Sequence, residues 1–264
     1  MCLILAAWHA HPDYPLVVAA NRDEHFARPT AAAQWWEDEP KILAGRDLAA
    51  LGTWLGITRD GRFAALTNYR NPALRRAQAP SRGLLVRDAL AGIAPTLKVL
   101  GHVASVAQHY ADFNLLVSDG RSLGIHESAA RRTRRLAPGI HALSNHLLDT
   151  PWPKVEVARD RFRAALEGSL ADDDFLALLR DDAPAPDDRL PSTGVSLEWE
   201  RLLSPVFVRA PGYGTRSSTL LTVRRDGAAR LREWTWNEDA ELAGDITHAF
   251  RVTLPPGDGD GSAD

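Results

Sequence analysis

The chain carries a single cysteine, Cys2, and only Met1 stands before it. Aminopeptidases remove an initiator methionine when the next residue is small. Removal here would leave a thiol and a free α-amino group on one residue. Such an amine titrates near ~7.7–8.0 and a free thiol near ~8.5, so the amine is suited to take the thiol proton. N-terminal Thr nucleophiles use the same pairing. A second group of reactive side chains, Asn21-Arg22-Asp23-Glu24, ends an apolar run that begins at Leu16. The two groups become neighbours if the first 24 residues form a hairpin. Leu3 to Trp8 and Leu16 to Ala20 are strand-like runs, and His9 to Pro15 between them is turn chemistry. With the turn centred near Pro12, Trp8 faces Leu16 and Cys2 faces Arg22. A guanidinium that close favours thiolate, and Asp23 is placed to hold the ammonium or the thiol. The bland alternative is a small buried cysteine beside a solvated strand end, and position alone does not separate the two.

Further strands must complete any such site. Thr53 to Thr58 and Phe63 to Thr67 flank Asp60-Gly61, and Phe113 to Ser118 and Ser122 to His126 flank Asp119-Gly120. Tyr213 to Val223 and Leu231 to Trp236 flank Asp226-Gly227. Asp-Gly between apolar runs is a strong hairpin signal. Asn68 leaves the second of these strands, and Asn145 follows Gly139 to Ser144 in the same apolar-hydroxyl-Asn pattern. A side-chain amide there either donates to a developing oxyanion or closes a turn on its own backbone. Arg216, in a run of small polar residues, either presents its guanidinium to the site or pairs within a sheet. Helices are expected from Ser81 to Leu90, after Pro95 with Leu97, Leu100, Val103, Val106 and Ala107 on one face, over Trp152 to Gly168, and after the acidic turn Asp172-Asp173-Asp174. Trp35-Trp36 reads as core or edge, and the basic run Arg131 to Arg135 as a solvated strand or turn. Residues 71–80 read as a loop able to cover the site, and 181–196 as a long loop that is mobile or near an entrance. Residues 255–264 read as a disordered tail. Clustered central helices with hairpins at both ends suit a layered α+β domain, here drawn as one unit over residues 1–254.

Composition removes several classes. With 264 residues, 45% hydrophobic and 25% charged, the chain is an ordinary globular protein. A net charge of −3 argues against a nucleic-acid binder. One cysteine permits no internal disulfide and fits a reducing cytoplasm. The start lacks the basic region of a secretory signal, and no run reaches the ~18 apolar residues of a membrane span. No spacing of His, Cys or carboxylates suggests a metal site, and no nucleotide motif is present, so no cofactor is required.

Met-Cys-Leu-Ile with Ala-Ala-Asn21-Arg22-Asp23-Glu24 twenty residues on resembles the NRDE family, also called the Transport and Golgi organisation family. Gly52-Thr53-Trp54-Leu55-Gly56, Leu66-Thr67-Asn68-Tyr69-Arg70, Leu143-Ser144-Asn145-His146 and Gly214-Thr215-Arg216-Ser217-Ser218 extend the resemblance in order to about residue 237. That family in turn resembles the N-terminal-nucleophile hydrolases, especially the cysteine acylases of penicillin V and conjugated bile salts. The resemblance implies a four-layer α-β-β-α sandwich with Cys2 opening a central strand. It implies an amide hydrolase in which Cys2 attacks, Asn68 or Asn145 steadies the oxyanion, and Arg22, Asp23 and Arg216 tune and orient. Asn21, Glu24, Trp54, Tyr69, Arg70 and His146, all in the matching segments, are the expected contacts to a small-molecule substrate or ligand. It also implies a second reading, since relatives have been linked to haem handling and to acyl-CoA or lipid homeostasis. Haem would then be a bound ligand, held by Cys2 or by one of His9, His11, His25, His141 and His146, or the pocket would carry an acyl chain with Arg residues on its phosphates. A third reading is a scaffold that keeps the fold without the chemistry.

Overall fold

The first two strands alternate strictly, and that alternation builds the layers. In the computed structural model, which describes residues 2–72 and 79–253, β1 (Cys2–Trp8) pairs antiparallel with β2 (Leu16–His25). Their register places Trp8 opposite Leu16 and Cys2 opposite Arg22, as the hairpin reading requires. Every residue of β1 is buried, so each face must be covered. Leu3, Leu5 and Ala7 join Val17 and Ala19 beneath two helices, α3 (Pro153–Glu167) and α4 (Asp172–Leu179). Ile4, Ala6 and Trp8 join Leu16, Val18 and Ala20 on the other face, against Leu43, Ile57, Phe63 and Leu116 of a second sheet. That sheet in turn packs Ala64, Leu66, Leu115 and Val117 under α1 (Gly83–Ala91) and α2 (Thr96–Val106). The result is the expected helix-sheet-sheet-helix sandwich, in which apolar area removed from water is the main source of stability.

The first sheet orders its strands β10-β1-β2-β12-β13-β14, with β10 (Gly139–Leu143), β12 (Tyr213–Val223), β13 (Ala228–Trp236) and β14 (Leu242–Arg251); the two-residue β11 (Arg209–Ala210) pairs with β12. The second sheet runs in sequence order through β3 (Thr30–Trp35), β4 (Ile42–Asp47), β5 (Leu55–Thr58), β6 (Phe63–Asn68), β7 (Phe113–Ser118), β8 (Leu123–Glu127) and β9 (Arg132–Arg135). A short helix α5 (Leu197–Leu202) sits between α4 and β11. Cys2 thus opens a strand flanked on both sides within the first sheet.

Some expectations are revised. β14 has no apolar run to announce it; its residues alternate between half-buried and exposed at the sheet edge. Leu97 was expected on the buried face of α2 but is 50% exposed. Thr96 takes the inner position instead, donating from Oγ1 to the Ser122 carbonyl and accepting from the Asp119 amide. The 181–196 loop is tied down rather than loose. Ala185 N–H donates to Ser204 Oγ, and Thr193 donates from both N–H and Oγ1 to Glu200. Trp36 is core, with Nε1 donating to the Ala44 carbonyl, whereas Trp35 packs edge-on to Phe250. The basic run forms edge strand β9, where Arg132 and Arg134 both reach Glu127. Met1, most of the 71–80 loop and the 255–264 tail lie outside the described residues. Among the described residues, no helix is long and apolar enough to cross a membrane.

Candidate active site

Cys2 lies on the face of β1 that looks toward the second sheet, at the strand's first residue, where the sandwich opens into a cleft of about 350 Å³. The walls are Arg22, Asp23 and Glu24 from β2, Arg28 and Asp47, Thr53 and Trp54 before β5, Leu66 and Asn68 from β6, and residues 79–83 leading into α1. Cys2 is 9% exposed. Burial pushes its thiol up; the positive chain terminus pulls the other way, the Asp23 carboxylate adds to the rise, and Arg22 and the Asp23 amide N–H, which donates to the sulfur, lower it. Burial, the first of these, favours the neutral thiol.

Arg22, opposite Cys2, lies 4.3 Å above the Trp54 ring. Its Nη1 reaches Thr30 Oγ1 at 3.3 Å, and its Nη2 is 3.9 Å from Glu24 Oε2. These are long contacts, so the guanidinium is set by the ring beneath it more than by a tight ion pair. Arg28 is different: it closes on Asp47 with bonds of 3.0 and 2.6 Å at one wall. Behind Arg22, the buried Glu233 on β13 accepts the Ala33 N–H at 2.8 Å, and burial pushes its carboxyl up to about 7 although Arg22 opposes the rise.

Alternation along β2 sends Asn21 and Asp23 to the helix side. Asn21 donates to the Leu179 and Val206 carbonyls at 2.7 and 3.0 Å and accepts from Ser218 Oγ at 2.7 Å, which fixes β2 to α4 and to the 205–208 segment. This amide is structural and makes no contact to the cleft. Asp23 accepts from Thr215 Oγ1 at 2.7 Å, and its carbonyl accepts from the Tyr213 hydroxyl at 3.0 Å.

The two asparagines have separate places. Asn68 lines the cleft, and its side-chain amide has no hydrogen-bond partner among the described residues. Asn145 is fully buried and donates from Nδ2 to the Asn68 carbonyl at 2.9 Å. Its neighbour Ser144 donates to the Cys2 carbonyl at 3.3 Å. The loop holding both is anchored from the second sheet: Asn114 donates to the His146 carbonyl at 2.7 Å, and Glu127 accepts the Leu148 N–H at 2.9 Å. Asn145 thus holds the Asn68 backbone, and Ser144 holds that of Cys2.

The other expected residues divide. Trp54 and Glu24 line the cleft. Arg216 sits at a bulge in β12 and gives its guanidinium to the carbonyls of His25 and Arg28 and to Thr30 Oγ1, which Arg22 shares. It braces Arg22 from behind and is absent from the cleft lining. Tyr69 and His146 stack on each other at 5.0 Å, and the His146 ring also meets Trp152. Arg70 turns to the helix side, where it pairs with Glu200 at 2.8 Å, both side chains at most 6% exposed. Neither Tyr69, Arg70 nor His146 lines the cleft.

Sequence reasoning missed Arg82, which lines the cleft and donates to the Asp112 carbonyl, and also Thr53, Asp47, Lys154 and Glu200. Ser81 was expected to cap α1; its Oγ accepts the Gly83 N–H, but the cap position falls on Arg82, which makes no side-chain cap bond. For the others no local signal exists, because their partners lie up to 130 residues away.

Of the residues expected to hold haem, only Cys2 lines the cleft. None of the nine histidines lines it, and its walls carry charged side chains of both signs. His141 is engaged with Ala137 and Asp149, and His146 with Thr150. Among the described residues, no three of His, Cys, Asp and Glu converge as a metal set.

Two facing sheets between helical layers, with a cysteine at the start of a central strand, define the N-terminal-nucleophile hydrolase fold. Over 96% of this chain and 97% of the other, the architecture is similar to a mutant conjugated bile acid hydrolase from Clostridium perfringens, with a TM-score of 0.50 at 9% identity. The chain belongs to the Transport and Golgi organisation 2 family, whose model matches residues 1–238. It is 36% identical to the Transport and Golgi organization protein 2 homolog of Bos taurus over 282 residues, covering 96% of this chain and 99% of that protein. It is 34% identical to the Homo sapiens homolog with the same coverage.

Proposed function

We propose that this chain is a hydrolase that cleaves a non-peptide C–N amide, or a related acyl bond, through Cys2. The observation that carries the reading is the pairing of Cys2 with Arg22 on the floor of a cleft rimmed by Asn68. In this reading Met1 is removed, and the Cys2 amine beside Asp23 takes the thiol proton. The sulfur attacks the substrate carbonyl, and the Asn68 amide donates to the oxyanion. The ammonium returns its proton to the leaving amine as the C–N bond breaks, which leaves a thioester. Water, deprotonated by the same amine, then releases the acid and restores the thiol. A base is needed because burial alone disfavours the thiolate. The mixed charges of the walls suit a substrate with polar groups near the scissile bond. The shared fold with a bile acid hydrolase supports the scaffold, not the substrate.

The test is turnover of a panel of N-acyl amides and activated acyl esters by the untagged protein. Cys2→Ala should reduce every activity to background while leaving the fold intact. If Cys2→Ala cleaves each substrate as fast as the wild type, the reading fails and the cleft binds a ligand without chemistry.

A further inference from the structure

Arg22 has no tight ion pair, so its place opposite Cys2 depends on the Trp54 ring 4.3 Å beneath it. Trp54 itself lies outside any strand, between β4 and β5. Something must therefore fix the ring, and Gly45 does so by what it lacks. It stands two residues after Leu43 on β4, on the face turned toward the first sheet. A Cβ there would come closer than 3.0 Å to both Cη2 and Cζ2 of Trp54, which real side chains essentially never do. The ring edge fills the space that a side chain would take.

The Trp54 backbone is fixed as closely. Gly52 lies against the start of α1, where a Cβ would meet backbone atoms of Gly83 and Leu84 at 2.5 to 2.8 Å. Thr53 N–H donates to the Gly83 carbonyl at 3.1 Å, Asp47 N–H to the Gly52 carbonyl at 2.9 Å, and Leu66 N–H to the Trp54 carbonyl at 2.8 Å. The segment is thus held by β4, β6 and α1, none of which belongs to the β1–β2 hairpin. Arg22 comes from that hairpin, and its remaining contacts, 3.3 Å to Thr30 and 3.9 Å to Glu24, are long. The second sheet supplies a platform, and Arg22 of the first sheet rests on it.

We propose that Gly45 is a positioning residue for the Cys2 nucleophile: it seats the Trp54 ring, and the ring sets Arg22 opposite the thiol. This rests on the reading of Cys2 as the nucleophile. Gly45 is buried and absent from the cleft lining, so its effect reaches the sulfur only through Trp54 and Arg22. Arg22 favours the thiolate, and a ring pushed out of its seat carries the guanidinium away and leaves the thiol harder to ionise. The chain terminus and the Asp23 carboxylate also act on the thiol, and both stay in place when residue 45 changes.

The experiment is Cys2 alkylation by iodoacetamide from pH 6 to 10, read by peptide mapping. It compares the wild type, Gly45→Ala, Trp54→Phe and the double variant Gly45→Ala/Trp54→Phe, with thermal unfolding recorded for each. Gly45→Ala should move the midpoint of the profile up by about one pH unit and slow the reaction about tenfold at neutral pH. Phenylalanine keeps a ring face for Arg22 and lacks the second ring, to which Cζ2 and Cη2 belong. Trp54→Phe should therefore stay within a few-fold of the wild type, and in the double variant it should cancel the effect of the added methyl. A folded Gly45→Ala whose profile overlays the wild type overturns the proposal. So does a double variant as slow as Gly45→Ala alone. If Gly45→Ala does not fold, Trp54→Leu, which removes the ring face, takes its place, and a folded Trp54→Leu that matches Trp54→Phe overturns the proposal equally. Amide turnover by the wild type separates this from the hydrolase reading. Turnover with a profile indifferent to residue 45 would sink the positioning and leave the hydrolase standing. No turnover, with a midpoint that still moves in Gly45→Ala, would do the reverse.

Discussion

The end of β2 offers two faces made by four consecutive residues, and they are built on opposite principles. On the helix side, Asn21 and Asp23 enter a closed network. Asn21 has hydrogen bonds at both ends of its amide, Asp23 accepts from Thr215, and the Arg70–Glu200 pair and Lys154 are almost entirely out of water. On the cleft side, Arg22 keeps long contacts of 3.3 Å to Thr30 and 3.9 Å to Glu24, and Asn68 lines the cleft. A closed network fixes geometry, and an open one leaves donors available to a ligand. Cys2 sits where they meet.

The difference can be broken from either side. The largest expected effect is on the closed face. Glu200→Ala leaves the Arg70 guanidinium buried beside Lys154, and should cost about 3–5 kcal/mol of stability in urea unfolding. A loss below 1 kcal/mol would mean that the helix face is not the rigid one. On the open face, Asn68→Ala should leave unfolding nearly unchanged and lower turnover by about 10²–10³, or roughly 3–4 kcal/mol in the barrier, as for one oxyanion donor. If stability falls while the rate of the remaining folded protein holds, Asn68 belongs to the structure and not to the chemistry.

The smallest effect concerns Glu233, between the sheets behind Arg22. Burial raises its folded value from an ordinary 4.5 to about 7, so the folded chain binds a proton that the unfolded chain releases between those limits. Its contribution is then fully present below about 4.5 and lost as pH rises through about 7. Glu233→Gln keeps an acceptor for the Ala33 N–H and removes the titration. Its stability should exceed the wild type's by about 1–3 kcal/mol at pH 8 and converge with it near pH 4.5. Parallel curves for the two proteins would contradict this assignment.

The two faces also differ in how far the sequence reveals them. The open face is local: two apolar runs of opposite polarity around Pro12 fix the register, so the Cys2–Arg22 pairing follows from residues 1–24. The Asp-Gly turns likewise mark β5–β6, β7–β8 and β12–β13 with their apolar strands. The closed face is nonlocal. Arg70 and Glu200 are 130 residues apart, and Lys154 looks like one more polar residue in a helix whose other inward positions are apolar. β14 was hidden for a related reason, because an edge strand with one solvated face needs no apolar run. Asn145 repeats the local pattern of Asn68, yet its buried amide holds the Asn68 carbonyl. Pattern alone could not separate support from chemistry.

One measurement tests the central claim most directly: peptide mapping of the untagged, folded protein after brief incubation with an activated acyl ester. The account predicts that Met1 is absent and that the acyl group is on Cys2. Retained Met1 on folded protein, or acyl groups spread over surface lysines with Cys2 unmodified, would contradict it.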